Sequence, residues 1–419
     1  MSAGKKNVAI FMGTRPEAVK LAPVVAALRA TDDLNCTVVA TGQHKEMFRQ
    51  VADTFGFTVD ADLDVMRPNQ TLAGLTARLM EGIDGWLEQG DPDMALVQGD
   101  TTTVLVAALA CFYRRIPIGH VEAGLRTGNI WSPFPEEANR KLASPLVTLH
   151  FAPTAAAEDA LLREGVPGDS IVVTGNTVID ALLTEVAVQE RDARLRGTID
   201  GALAALLGDD WLRVPFVLIT GHRRENFGEG IEQICQAIRT LGERFPDHRF
   251  VYPVHLNPNV KVHVHRLLGD LSNVRLIEPQ GYSSFVRLMS RCRLILTDSG
   301  GVQEEGPSLG KPVLVMRDTT ERPEGVAAGT ALLVGPQAPA IVANATRLLT
   351  DAEAYQAMAT AKNPYGDGRA AERIVARIRQ HFAGIAADPR RTGVRARVRP
   401  EAAPAAGEPR LAQRGDGTK

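Results

Sequence analysis

An α/β fold of two Rossmann-like domains facing a central cleft is predicted by three observations. Short apolar, β-prone runs alternate with helical stretches along most of the chain, the pattern of parallel sheets covered on both faces. The 419 residues are too many for one ordinary core and suit two domains. Glycine-punctuated turns follow apolar runs in both halves, the place where open α/β sheets bind ligands.

Taken in order, Asn7 to Met12 reads as a strand and Gly13-Thr-Arg-Pro-Glu17 turns it into a helix. Thr14 and Glu17 have capping-box spacing, and Pro16 stands in the first turn, where its missing N–H costs nothing. Leu21, Val24, Val25 and Leu28 recur at helical spacing, with Pro23 expected to kink the helix. Cys36–Thr41 is a strand, followed by a helix from about Met47; Ala73–Trp86 is helical. Met94–Gln98 is a strand, and Gly99-Asp-Thr-Thr-Thr103 opens the helix Val104–Tyr113. Pro117–Val121 is a strand ending at Glu122, and Glu136 falls in the first turn of the next helix. Leu149–Pro153 and Ile171–Thr174 are the last strands of a first domain spanning 7–180. The charged run that begins at Asp192 continues as a short helical stretch to Asp210 and marks the boundary region.

The second domain, 181–362, repeats the alternation. Strands are expected at Pro215–Thr220, Arg249–His255, Val274–Pro279, Leu294–Thr297 and Pro312–Met316, with helices at Ile231–Phe245, Ala338–Thr350 and Ala352–Thr360. Asn363–Gly368 breaks the chain before an amphipathic helix within 365–382 that is expected to cross back to the first domain. From Asp388 to Lys419, Pro, Gly, Ala and Arg dominate without periodicity, the composition of a disordered tail.

Composition excludes several classes. A net charge of −2 gives no reason to expect nucleic acid or an acidic membrane as partner. No signal peptide and no apolar run long enough to span a bilayer is visible. Cys36, Cys111, Cys235 and Cys292 are scattered without a paired spacing, as buried free thiols of a reducing compartment are, and the cytoplasm is the expected location. His255, His263 and His265 are expected as surface residues and not as a metal cluster, because His263 and His265 fall on different faces of a helix.

The richest stretch is Leu294-Ile-Leu-Thr-Asp298-Ser-Gly-Gly301-Val-Gln-Glu-Glu305. Amides of Ser299, Gly300 and Gly301 at a helix start favour an anion, and missing side chains let it come close. Glu304 and Glu305, one turn on, suit the neutral hydroxyls of a ribose. A nucleoside diphosphate is the functional reading; a capped turn with nothing bound is the plain alternative. Arg15 and Lys20 stand near another strand end, placed for phosphate. Asp100, Glu122 and Glu136 follow strand ends or open a helix along one sheet edge, and three such carboxylates together point to acid–base chemistry.

These motifs occur together in one known order. Gly13-Thr-Arg-Pro-Glu-Ala18, Gly99-Asp-Thr-Thr-Thr103, His120-Val-Glu-Ala-Gly-Leu-Arg126, Pro135-Glu-Glu-Ala-Asn-Arg140, Thr220-Gly-His-Arg-Arg-Glu225, Tyr252-Pro-Val-His-Leu-Asn-Pro258, Asp298-Ser-Gly-Gly301 and Thr320-Glu-Arg-Pro-Glu324 make the chain resemble the bacterial non-hydrolysing UDP-N-acetylglucosamine 2-epimerases, over about Val8 to Phe382. The resemblance implies a GT-B-like architecture and a homodimer. It also implies reversible epimerisation at C2 of UDP-N-acetylglucosamine, through elimination of UDP to 2-acetamidoglucal and re-addition. That reaction would supply N-acetylmannosamine for surface polysaccharide, and it needs neither metal nor redox cofactor.

By the same resemblance, Arg15, Ser299, Gly300 and Gly301 hold the diphosphate and Glu305 the ribose. Gln280 and Phe285 line the uridine pocket. Lys20, Asp100, Glu122, His222 and Arg322 contact substrate, and Glu136 is a third acid tied to catalysis. Asp100 is the expected base in one direction, with Glu122 or Glu136 returning the proton from the opposite face. Some family members bind a second substrate molecule as activator through a glutamine pair and an arginine. Here Gln43 matches, but Glu46 and Asn69 stand at the other positions, a departure from that pattern. The competing readings are a GT-B glycosyltransferase, which would need an acceptor, a hydrolysing epimerase, and a catalytically silent sugar-nucleotide sensor.

Overall fold

The computed structural model describes residues 4–42, 45–67, 69–221 and 228–387, with the backbone alone for 45–49, 258–259 and 385–387. Described residues up to Ile378 form one compact unit, and those from Arg379 a second.

The first sheet is built from β1 (Lys6–Met12), β2 (Leu34–Ala40), β3 (Ala61–Asp62), β4 (Met94–Gln98), β5 (Ile118–Val121), β6 (Leu149–Ala152) and β7 (Ile171–Val173), in the order β3-β2-β1-β4-β5-β6-β7. All its pairings are parallel. Its helices are α1 (Arg15–Arg29), α2 (Lys45–Phe55), α3 (Leu72–Gly90), α4 (Thr102–Tyr113), α5 (Glu136–Ala143) and α6 (Ala155–Arg163). Then α7 (Thr177–Arg191) and α8 (Ala193–Leu207) lead to the second sheet.

That sheet comprises β8 (Phe216–Thr220), β9 (Arg249–Pro253), β10 (Val274–Ile277), β11 (Leu294–Thr297), β12 (Val313–Val315) and β13 (Ala331–Leu333), in the order β10-β9-β8-β11-β12-β13 and again parallel. Between and after its strands come α9 (Glu229–Arg244), α10 (Pro258–Leu268), α11 (Tyr282–Arg291), α12 (Gly300–Ser308), α13 (Pro323–Ala327), α14 (Ala338–Thr350), α15 (Ala352–Ala359) and α16 (Ala370–Ala387). The doubly wound arrangement expected from the alternation is therefore present twice.

Strand periodicity fills both faces of the second sheet. Val217 and Ile219 enter a cluster with Phe250, Leu294 and Leu296, whereas their neighbours Phe216 and Leu218 enter another with Val251 and Ile295. Alternate side chains point to opposite faces, so a strand buried on both sides must be apolar throughout. In the first lobe, buried Phe11 meets Trp86 edge-on at 5.6 Å between centroids, an arrangement worth about 0.5–1.5 kcal/mol beyond its area.

The capping box forms in full: Glu17 N donates to Thr14 Oγ1 at 3.4 Å and Thr14 N to Glu17 Oε2 at 2.5 Å. Glu17 goes further than a cap, accepting from Gly13 N at 2.8 Å and from Thr101 Oγ1 at 2.6 Å, and so ties the β1–α1 turn to the β4–α4 turn. Gly13 is required by close approach, since a Cβ there would sit 2.5 Å from Thr103 Oγ1 and 2.9 Å from Thr41 Oγ1.

Helix α1 runs through Pro23 without a break, since the N–H that proline lacks is only one bond among many that packing holds in place. Two features depart from the sequence reading. Strands β3 and β13 and helix α6 carry too little periodic signal to be read. The segment from Asp192 is one helix of fifteen residues, α8, whose Ile199, Leu203 and Leu207 join the core beneath Phe216.

Two passes of the chain touch, at Gly175–Asn176 and at Tyr365–Gly366. Asn176 N donates to Tyr365 O at 2.7 Å, and a Cβ on Gly175 would lie 3.2 Å from Gly366 Cα. Both glycines have positive φ, +87° and +136°. Asp180 accepts from Ala370 N at 3.2 Å and Ala371 N at 2.8 Å, a carboxylate set on the first turn of α16 where the helix leaves its amides unpaired.

Candidate active site between the lobes

Strand order reverses between β1 and β4 in one sheet and between β8 and β11 in the other, and ligands of open α/β sheets sit outside the carboxyl ends of such strands. The turns that follow these four strands carry Gly13–Thr14, Gly99–Thr101, Gly221 and Asp298–Ser299. A cavity of about 420 Å³ opens there, walled from one lobe by Arg15 and Lys20 of α1 and from the other by Gln280, Phe285, Ser299, Gly301 and Glu305. Seven residues expected at the substrate thus line one cavity. Gly221, the last described residue before His222, lines it too; His222 itself lies outside the described residues. So do the side chains of Gln43 and Glu46.

Gly300 and Gly301 are the first residues of α12, where helical amides have no partner within the helix. Ser299 differs from expectation: its amide donates to Thr297 Oγ1 at 2.9 Å, so this N–H is already committed and two glycine amides are left for an anion. The Arg322 guanidinium lies against Gly300, whose added Cβ would be 3.3 Å from Arg322 Cζ.

Behind this wall lies a buried polar cluster. Glu122, at the end of β5, is 7% exposed and holds φ = 65°, a left-handed conformation that a non-glycine residue keeps only where surroundings impose it. Its Oε1 and Oε2 each lie 2.7 Å from Lys20 Nζ. Gln98 Nε2 donates to Oε2, and Asn176 Nδ2 to Oε1 at 2.9 Å. The same Asn176 amide donates to Glu304 Oε2 at 2.5 Å, and Glu304 Oε1 accepts from Arg322 Nε at 2.7 Å. Arg322 also approaches Glu122 to 3.9 Å.

Electrostatics divide these carboxyls. Burial works against the charge on Glu122, but Lys20 and Arg322 outweigh it and hold the carboxyl below its usual range. Burial lifts Glu304 above that range despite Arg322 and Lys20, with Glu122 adding to the lift. Glu305 is pushed up to about 8 by burial and by the neighbouring Glu304. Burial disfavours the Lys20 ammonium, yet the facing carboxylates raise its affinity for the proton. Opposite shifts in adjacent acids are how one site keeps one carboxylate charged and another protonated.

Asp100 and Glu136 sit on the same lobe edge as Glu122. Asp100 Oδ2 accepts from Arg140 Nε at 3.0 Å and Nη2 at 2.5 Å, while Arg140 Nη1 donates to Glu137 at 3.0 Å. Asn139 Nδ2 holds the Asp100 carbonyl at 2.9 Å. Gly99 N bonds to Val121 O at 3.0 Å, so the turns bearing Asp100 and Glu122 run side by side. Glu136 begins α5; among the described residues its Oε2 is buried without a hydrogen-bond partner, an oxygen that calls for a donor from a ligand.

One assignment changes. Glu304 does not face the ribose side of the cavity: both its oxygens are occupied by Asn176 and Arg322, leaving Glu305 alone on the wall. His255 is exposed, as read from the sequence, and it also lines the cavity just past the end of β9, a position its place after a strand could have signalled. Gln98, Asn176 and Arg140 were not singled out, because their partners are distant in sequence. Among the described residues no group of His, Cys, Asp or Glu is arranged to hold a metal ion.

Two Rossmann-like lobes with a cavity walled from both define the GT-B-like class of two-domain folds. The family model described as UDP-N-acetylglucosamine 2-epimerase matches residues 26–379, and the chain belongs to that family. It is 53% identical over 378 residues to a probable UDP-N-acetylglucosamine 2-epimerase of Ralstonia nicotianae, covering 90% of this chain and 100% of the relative. With the UDP-N-acetylglucosamine 2-epimerase of Yersinia pestis it shares 53% identity over 375 residues, 90% of this chain and 99% of the relative. The crystal structure of the Neisseria meningitidis UDP-GlcNAc 2-epimerase bound to UDP-GlcNAc superposes with a TM-score of 0.83 at 48% identity, covering 90% of this chain and all of that one.

Proposed function

We propose that the protein is a non-hydrolysing isomerase that interconverts UDP-N-acetylglucosamine and UDP-N-acetylmannosamine at C2. The observation that carries this reading is Glu122. A buried carboxylate, held ionised by Lys20, sits on one lobe and is tied by hydrogen bonds to the helix that begins at Gly300 on the other. Acid–base groups and an anion site are thereby within reach of one bound sugar nucleotide.

In this reading the diphosphate rests on the Gly300 and Gly301 amides, Ser299 and Arg15. Gln280 and Phe285 line the base, and Glu305 takes the ribose. Asp100, oriented by Arg140, removes a proton in one direction, and a proton is delivered from the other face by Glu136, or by Glu122 once it has itself taken one up. The C2 hydrogen leaves as a proton, and its electrons form the C1–C2 double bond of 2-acetamidoglucal as UDP departs with the C1–O pair. Positive groups fixed beforehand around the departing phosphate, with His222 and Arg322 assigned there, stabilise that charge as it develops. Reversal with the proton returned to the opposite face gives the manno epimer, a supply for surface polysaccharide.

The lobes are assigned as 7–180 and 181–362, with the helix in 365–382 returning to the first. Exposed Phe112 and Tyr113 of α4, the stacked pair Trp131 and Phe134, and Leu142 of α5 support a homodimer through this face. No helix among the described residues is long and apolar enough to cross a membrane. Buried free Cys111, Cys235 and Cys292 fit a reducing compartment, the cytoplasm.

Incubation with UDP-N-acetylglucosamine alone in deuterium oxide tests the reading. UDP-N-acetylmannosamine carrying deuterium at C2 is the expected product. Free N-acetylmannosamine with UDP would mark a hydrolase; turnover only with an added acceptor would mark a transferase. Binding without turnover would mark a sensor.

A further inference from the structure

All the polar side-chain atoms of Asn176 are engaged, and they are engaged in three different places. Its Oδ1 accepts from Val178 N at 3.1 Å and caps α7. Its Nδ2 gives one hydrogen to Glu122 at 2.9 Å and the other to Glu304 at 2.5 Å. Those carboxylates belong to opposite lobes, and the residue is 2% exposed. Its own amide joins the two chain passes through Tyr365 O at 2.7 Å. We propose that Asn176 is a positioning residue for epimerisation: it fixes the Glu122 carboxylate and makes that fixing conditional on Glu304, hence on the second lobe being seated against the first.

The chemistry of the amide explains why this position suits asparagine. An NH₂ group offers two hydrogens in one plane and carries no charge, so it can stand between two carboxylates without competing for the proton of either. Aspartate would keep the cap and the shape but would set a third carboxyl against two others. The groups facing Glu122 are Lys20 from α1, Gln98 from β4, His120 from β5, Arg322 ahead of α13 and Glu304 from α12. Of these the two cations favour its charge and Glu304 opposes it. Loss of the Asn176 donor therefore weakens the ionised form, since a hydrogen bond given to a carboxylate favours its charged state.

This inference rests on the epimerase reading and is tested so that the two separate. Full-length wild type and N176D are compared for UDP-N-acetylglucosamine turnover across pH, with UDP titration and thermal melting as controls. In N176D, kcat falls by about 100-fold or more, the scale of a misplaced general acid or base, while KM and UDP affinity change little. The acid limb of its kcat/KM profile moves to higher pH, because Glu122 then binds its proton more tightly. N176S, which keeps a capping oxygen and loses the paired amide donors, shows the same split and stands in if N176D does not fold. A wild type that epimerises alongside variants with unchanged kcat and unchanged acid limb overturns the inference alone. A wild type that leaves the sugar nucleotide unaltered overturns the functional reading and this inference with it.

Discussion

Replacing Arg322 with alanine exposes how the buried cluster is balanced. The guanidinium is 13% exposed and its partner Glu304 side chain 2%; the change removes the 2.7 Å bond to Glu304 and the 3.9 Å approach to Glu122. Removing one partner of a buried ion pair costs about 3–5 kcal/mol, because the other is left without compensation. Against a total stability of about 5–15 kcal/mol, that is a large loss. Its size depends on pH in a known direction. The folded Glu304 carboxyl is already raised by burial and rises further without Arg322, whereas in the unfolded chain it titrates near 4.3, the ordinary value for about every exposed Glu. Between those values the folded state holds a proton that the unfolded state has released, so stability falls as pH rises through the window. Urea denaturation followed by circular dichroism, on ligand-free R322A and wild type at about pH 5 and about pH 8, should show the smaller deficit at the lower pH. Neutralising the orphaned acid in R322M/E304Q should recover most of the loss. A deficit equal at both pH values, or none, would refute the reasoning.

Two further outcomes follow from the same geometry. D100N should lower turnover by about 100-fold or more with little change in melting temperature, since Arg140 retains Glu137 at 3.0 Å; product formation followed by chromatography measures it. E305Q removes a carboxyl that burial and Glu304 push up to about 8. Ionising that group in the folded state is costly, so ligand-free E305Q should gain stability over wild type as pH rises from about 4.3 towards 8, read from melts at the two ends.

Much of this was legible in the chain. The capping box at Thr14 and Glu17, the strand-to-helix turns at Gly13, Gly99 and Asp298, and the three acids along one edge are local signals set by spacing and periodicity. They singled out Arg15, Lys20, Ser299, Gly301 and Glu305, to which the family resemblance added Gln280 and Phe285, and all seven line one cavity. What sequence could not convey is pairing at a distance. Asn176 and Glu304 stand 128 positions apart, and nothing local to either says that one amide serves two lobes. Glu304 was read as a ribose partner beside Glu305 because adjacent residues look alike in a string. On a helix they point about 100° apart, and only one faces the cavity. The Ser299 amide was misjudged for a similar reason: the Thr297 hydroxyl that takes it lies two residues back, in a strand read for its apolar, β-prone pattern and not for its hydroxyl.

The paired chain passes at Gly175–Asn176 and Tyr365–Gly366 bear on how this molecule can move. Two ribbons that run side by side, joined by a hydrogen bond and with a Cβ on Gly175 only 3.2 Å from Gly366 Cα, would act as a pintle in any movement of the lobes, leaving one axis of rotation and resisting sliding and twist. Opening for nucleotide entry would then swing the sheets about a fixed line, and each closing stroke would bring Glu304 back to the same register against Glu122. Accuracy in the reacting geometry would come from the narrowness of the crossing, with no need for a rigid body throughout.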